Sequence, residues 1–218
     1  MFLRADVIQE IAPFILQGMT ITLKYTFFSL LGGLPLGALL AFGKISKFFW
    51  LRWFSNGYTA IFRGTPLLVQ LGLFYYATPQ LTGYQISVFE AGILTFSLNS
   101  AAYTSEIMRT GIQSIDVGQW DAAKVLGFSH RQSLWFIIIP QAFCIILPAL
   151  VNEMIDLLKE SALMATLSEM DLLRRAQVIS AEKFLFFEPY LLAAFGYFIL
   201  VNILGVLGKL LERKLAYA

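Results

Sequence analysis

Apolar residues in this chain neither alternate nor keep to a narrow helical stripe; they run in long blocks divided by short polar segments. Crossing about 30 Å of hydrocarbon takes roughly 20 mostly apolar helical residues, because every backbone donor and acceptor must be satisfied inside the segment. Five stretches meet that requirement: 19–42, with Lys24 as its only charge; 54–77, interrupted by Arg63; 88–108, with Glu90 near its start and Glu106 near its end; 134–158, charge-free as far as Asn152; and 189–207, without charge. The pattern predicts an all-α fold, a polytopic membrane bundle of five transmembrane helices.

Two of the polar segments carry helical signals of their own. In 114–133, Asp116 is placed to cap a helix whose third position is Gln119, Gly127 suits a left-handed exit, and Ser129 with Gln132 forms a second capping pattern. A helix of about ten residues is marginal alone in water. Trp120, Ala123, Leu126 and Phe128 give it an apolar side that nothing in the chain is obviously placed to cover. Two readings stand open: an amphipathic helix lying in the lipid interface, or a surface presented to the groove of a soluble partner, with Ala122 and Ala123 allowing close approach and Asp121 and Lys124 making rim contacts. In the loop of about 30 residues, 160–188, Ser168 followed by Asp171 is a capping pattern, and Leu172, Leu173, Ala176 and Ile179 recur at helical spacing. This predicts a short amphipathic helix, either a lid or a cover for the bundle.

Composition agrees with the pattern: 58% of the 218 residues are hydrophobic and 14% charged, against roughly 45–50% and about 25% in soluble domains. A net charge of +2 is too small to point to nucleic acid. Cys144 is the only cysteine, so no intrachain disulfide is possible. No small-residue cleavage site follows the charged N-terminal residues, so no cleaved leader is expected. Lys44, Lys47 and Arg52 crowd the first loop, Lys124 and Arg131 the third, and Lys209, Arg213 and Lys214 the tail. By the positive-inside rule these regions are cytoplasmic, which puts the N-terminus outside and the C-terminus inside. The expected organisation is an extracytoplasmic segment at 1–18, a transmembrane domain at 19–211 and a cytoplasmic tail at 212–218. Segment 114–133 then faces the cytoplasm, and loop 160–188 the outside.

Charges inside spans are costly and normally face a partner or a wet cavity. Glu153 and Asp156 share a helical face, where two carboxylates repel unless a cation relieves them. A guanidinium or ammonium group of a substrate would satisfy both, with Asn152 beside them; the structural alternative is Lys159, three residues beyond Asp156, or an Arg elsewhere. Arg63 either meets a substrate carboxylate or pairs with an acidic residue on another span. Glu106 and Arg109 predict a local ion pair. Pro140 and Pro148 each remove a ladder hydrogen bond from the fourth span, as does Pro66, after Gly64, in the second; these are candidate hinges or fixed kinks. Gly33 and Gly37 suit close helix contact, expected within the chain. His130 is expected as a solvated turn residue. No metal site is expected. There is no phosphate-binding G-x-x-x-x-G-K-[ST], no H-E-x-x-H and no G-x-S-x-G. Catalysis is therefore not expected, and an ATP-independent carrier or channel remains open on the residues alone.

The spacing Asp121-Ala-Ala, three residues, Gly127, nine residues, Ile137, one residue, Ile139-Pro140 resembles the EAA loop of ABC importer permeases, with Asp for the usual Glu and Ile for the usual Leu. FRGTPLLVQL (62–71), EIMRTGIQSIDVGQW (106–120), IIIPQAF (137–143) and LLKESAL (157–163) resemble the polar-amino-acid branch of that family, over about 18–211. Asp116 stands where the family usually has Pro, Thr110 where Gly is common, and Ala162 where Ser is common. The resemblance implies a type I importer permease core in a bacterial inner membrane and a second permease subunit, identical or paralogous. It also implies an extracytoplasmic solute-binding protein and two ATP-binding subunits gripping the EAA helices at Trp120, Asp121, Ala122, Ala123, Lys124 and Gly127. ATP and Mg would belong to those partners, with no cofactor on this chain. The expected cargo is a polar amino acid, with arginine, lysine or histidine favoured by the paired carboxylates.

Overall fold

The computed structural model describes residues 5–216, so the first four residues of the N-terminal segment and the last two of the tail lie outside it. The helices are α1 (Ala5–Leu16), α2 (Gly18–Ile45), α3 (Phe49–Gly64), α4 (Leu67–Gly72), α5 (Thr78–Thr82), α6 (Val88–Gln113), α7 (Val117–Val125), α8 (His130–Ser133), α9 (Ile139–Glu160), α10 (Leu172–Lys183) and α11 (Phe187–Ala216). Single π-type turns join α4 to α5 (Leu73–Ala77) and α8 to α9 (Leu134–Ile138), and a 3₁₀ turn (Ser161–Leu167) follows α9. No strand occurs among the described residues.

Three continuous helical stretches among them are long and apolar enough to cross a membrane: Asp6–Ile45, His130–Leu167 and Phe187–Lys214. The other two stretches expected to span differ for physical reasons. The stretch at 54–77 is not one helix, because Pro66 has no N–H to donate and forces Thr65 to an extended conformation (φ −123°, ψ 145°), so α3 ends at Gly64. Helix α6 is long, at 26 residues, but its inward face is polar.

That polar face is how α6 meets α2. Gly32, Gly33 and Gly37 of α2 lie against Ser97, Ser100 and Thr104 of α6, so closely that a Cβ at Gly37 would sit 2.7 Å from the Thr104 Cβ. The glycine pattern thus serves contact within the chain, as expected. Small residues on both sides let the backbones approach, and dispersion contacts replace a driving force that lipid does not supply.

Apolar clusters follow one another along α2. Near its start, Val7, Ile11 and Ile15 of α1 pack with Leu172, Ala176 and Ile179 of α10 and with Leu192 of α11. Tyr25, Leu71, Phe96 and Met164 form a middle cluster. At the other end Ile112, Ile115, Ile138 and Ala142 enclose the approach to α7. The expected helix in loop 160–188 is present as α10, and its cap corrects the reading from sequence. Ser168 closes the 3₁₀ turn in a left-handed conformation (φ 63°). Asp171 is the cap, accepting from the Arg174 N–H at 2.8 Å and from the Tyr197 hydroxyl at 3.0 Å.

Lys44 is also not the loop charge that the topology argument took it for. It belongs to the last turn of α2, and its side chain is 1% exposed. The other basic residues assigned to that loop, Lys47 after α2 and Arg52 in the first turn of α3, are exposed.

Candidate functional site

Helix α9 carries its acidic residues on one face. Glu153, Asp156 and Glu160 are spaced by three and four, so they fall in a row, and together with Lys159, Tyr103 of α6, Ala162 and Leu163 they line a cavity of about 530 Å³. Ser100 donates to a Glu153 carboxylate oxygen at 2.9 Å. Lys159 pairs with Asp156 at 2.6 Å, the structural alternative foreseen for that residue. Three carboxylates therefore face one ammonium.

Of the residues expected at this site, Glu153 and Asp156 are brought together. Asn152, next in the chain, is exposed and outside the lining. Arg63 is outside the lining, its guanidinium carbon over the Tyr103 ring at 5.1 Å from the centre and its Nη1 4.0 Å from Glu106. Two lining residues were not anticipated. Glu160 carried a usable signal, seven residues beyond Glu153 on the same face; Tyr103 carried none, because only the docking of α6 on α9 brings it there.

Below the cavity, toward α7, lies a knot of charge. Glu106 accepts from Lys44 at 2.6 Å and from the Nη2 of Arg109 at 2.7 Å, and Arg63 is its third cation. The Lys44 amine also donates to the Ser105 hydroxyl at 3.0 Å. The local Glu106–Arg109 pair was expected, and Arg63 follows the second of its two readings, pairing with an acidic residue on another span; the Lys44 contact from α2 was not expected.

The break between α3 and α4 is stapled by side chains. Gln70 donates through Nε2 to the Phe62 carbonyl at 2.8 Å and to the Thr65 carbonyl at 3.1 Å; Asn99 of α6 donates to the same Phe62 carbonyl at 3.1 Å and to the Gln70 Oε1 at 3.1 Å. Backbone acceptors freed by Pro66 thus find partners inside the bundle. Of the other candidate hinges, Pro140 follows the π-type turn in the first turn of α9, and Pro148 lies inside that helix.

Helix α7 is capped as expected. Asp116 accepts from the Gly118 N–H at 2.7 Å, Ser129 and Gln132 form a reciprocal capping box, and Gly127 has φ +83°. Its apolar side is a correction. Ala123 is 1% exposed, and Trp120 packs into the inner cluster and stacks on His130 with ring centres 5.0 Å apart. Positions 120 and 123 point inward because they are one turn apart and that turn lies against the α6–α9 junction. The outward surface is made instead by Val117, Asp121, Ala122, Lys124, Val125 and Leu126, with Val125 87% and Leu126 74% exposed. Gly127 is exposed beside it. No group of three or more His, Cys, Asp or Glu residues is placed to hold a metal among the described residues.

Comparison with known proteins matches residues 33–217 to the family described as the binding-protein-dependent transport system inner membrane component. A permease protein of Rickettsia typhi, whose name places it in a glutamine transport system, is 48% identical over 93% of both chains. The arginine transport system permease protein ArtQ of Bacillus subtilis is 47% identical over 93% of both. A solved amino acid ABC transporter with histidines superposes with TM-score 0.91 at 39% identity, covering 98% of this chain and 100% of that one. The inward-facing MetNI methionine ABC transporter, at 18% identity and TM-score 0.74, shares the fold. The chain belongs to the family of binding-protein-dependent transport system inner membrane components, multi-pass membrane subunits that carry out transport and are not enzymes.

Proposed function

We propose that this chain is the permease subunit of an ATP-driven importer of a polar amino acid with a basic side chain. The observation that carries the substrate reading is the cavity in which Glu153, Asp156 and Glu160 outnumber Lys159. Glu153 and Glu160 are half-buried and Asp156 is exposed; carboxylates grouped on one face without enough cations repel one another, and an incoming guanidinium or ammonium group relieves them. Arg63, over the Tyr103 ring, supplies positive charge for the amino acid's carboxylate, and Asn152 flanks the approach from α9. Relatives named for glutamine and for arginine agree on amino acids and differ on side chain.

Five crossings are assigned to α2, the α3–α5 segment, α6, α8–α9 and α11. The N-terminus is outside, and α7 and the C-terminus are in the cytoplasm. The α10 loop, packed on α1, faces the extracytoplasmic solute-binding protein. Two ATP-binding subunits hold ATP and Mg and grip the exposed face of α7 around Asp121, Ala122, Lys124 and Gly127. Trp120 and Ala123 support that face from behind. When the two ATP-binding subunits close, α7 of this chain and that of a second permease subunit move together, and the attached spans rock between inward-facing and outward-facing states. Bends at Gly64, Pro66, Pro140 and Pro148 shape that motion.

Labelled arginine, lysine and glutamine uptake by membranes containing the assembled transporter tests the substrate reading. Replacing Glu153 and Asp156 together, Glu153→Gln with Asp156→Asn, is expected to depress arginine and lysine uptake selectively. Equal loss for all three amino acids, or none, would refute a basic-substrate site.

A further inference from the structure

The inner end of α3 carries charge that transport of a basic amino acid does not employ. From residue 11 to residue 89 the chain contains no Asp or Glu, but it contains Lys24, Lys44, Lys47, Arg52 and Arg63. Lys44 and Arg63 face Glu106. Lys47 and Arg52 have no carboxylate partner among the described residues. The Nη1 of Arg52 donates to the Ser46 carbonyl at 3.1 Å and the Lys47 carbonyl at 3.4 Å. Those bonds hold the guanidinium over the α2–α3 turn without neutralising it. Its Nε and Nη2 remain available.

Two cavities meet at this side chain. One, of about 430 Å³, runs from Ser46 and Arg52 to Trp120 and His130 beside α7. The other, of about 510 Å³, is a groove along α3 formed by Phe49, Trp53, Asn56, Gly57 and Ala60, again with Arg52 in its wall. Gly57 keeps the groove open, with nothing within 4 Å of where its Cβ would be. Trp50 and Trp53 are 75% and 64% exposed on the same turns, and indole rings settle at the depth of lipid headgroups.

We propose that this junction binds an anionic phospholipid of the inner leaflet. The phosphate is held by Arg52 with Lys47 behind it, the headgroup lies in the cavity beside Trp120 and His130, and an acyl chain follows the groove past Trp53 and Gly57. Charge complementarity selects an anion, and the continuous apolar groove selects one with a tail over a free phosphate. A lipid here touches α7 itself at Trp120 and its stacking partner His130, so lipid composition would reach the cytoplasmic helix without touching the substrate cavity. The inference rests on the membrane placement of α3 and not on the substrate, and uptake is not its readout.

The test is native mass spectrometry of the full-length chain, purified in mild detergent and titrated with phosphatidylglycerol or phosphatidylcholine. Preferential retention of phosphatidylglycerol is expected. Arg52→Gln is expected to weaken it about fivefold or more, Gly57→Phe to do the same by filling the groove, and Arg131→Gln, exposed and outside both cavities, to leave it unchanged. Excess inorganic phosphate should not displace the lipid. Equal retention of both lipids, or unchanged retention in Arg52→Gln, would overturn the proposal. Displacement by phosphate with no effect of Gly57→Phe would mean a free-anion site and overturn it too. So would near-complete self-crosslinking of Gly57→Cys in a Cys144→Ser background, which would put a second copy of the chain in the groove.

Discussion

The Lys44 ammonium lies 2.6 Å from the Glu106 carboxylate, across the α2–α6 contact, with the lysine side chain 1% exposed. Glu106 also receives Arg109 and has Arg63 within 4.0 Å, so one carboxylate serves cations from three helices. The last turns of α2 and α3 are thereby tied to α6.

Glu106→Gln leaves the Lys44 charge buried beside a neutral amide. Removing one partner of a buried pair costs about 3–5 kcal/mol, and the part-exposed Glu106 places this case near the lower end. Thermal unfolding of the detergent-purified chain should show a clear fall in midpoint. Adding Lys44→Met to Glu106→Gln should recover part of it, since the orphaned charge is then gone; a double variant worse than the single would argue against the pair.

Gln70→Ala removes the side-chain donor to the Thr65 carbonyl and one of two donors to the Phe62 carbonyl, which keeps Asn99. An unsatisfied buried acceptor costs about 1–3 kcal/mol; because Thr65 is exposed and the Phe62 carbonyl keeps Asn99, a destabilisation toward the lower end is expected. Gln70→Glu should not rescue it, because a carboxylate cannot donate to those oxygens. Unchanged thermal stability in Gln70→Ala would show that the staple contributes nothing.

Gly37→Leu drives a side chain into Thr104. Overpacking costs about 1–3 kcal/mol and more where backbones must part, so loss of folded protein is expected on solubilisation. Gly72→Leu is the control, since no atom lies within 4 Å of a Cβ there.

Glu160→Gln removes one of the three carboxylates lining the cavity while keeping its shape. Arginine uptake should show a several-fold rise in KM with the maximal rate less affected, and glutamine uptake should change little. A fall in maximal rate alone would place Glu160 in the conformational change instead of in substrate contact.

Local signals were legible in the sequence and long-range ones were not. Asp116, Ser129 with Gln132, and Gly127 act within four residues of themselves, so spacing alone was enough to place them. The Ser87–Glu90 capping box that starts α6 is equally local. Ser168 misled because two polar residues competed for one cap, and burial of Asp171 against Tyr197 decided between them. Lys44 with Glu106 and Gln70 with Asn99 depend on how α2, α4 and α6 pack, which no local pattern encodes. Burial of Ala123 likewise follows from the docking of α7 on the α6–α9 junction; the helix's own periodicity is silent on which face is inward.

The central claim is that the outward face of α7 receives the stroke of an ATP-binding subunit. It is tested by co-purifying that subunit with the chain, unchanged and carrying Val125→Glu with Leu126→Glu, two exposed positions away from the helix's packed side. The account predicts that the double variant inserts in the membrane in normal amount, with the ATP-binding subunit and amino acid uptake both lost. Undiminished co-purification together with undiminished uptake would contradict it.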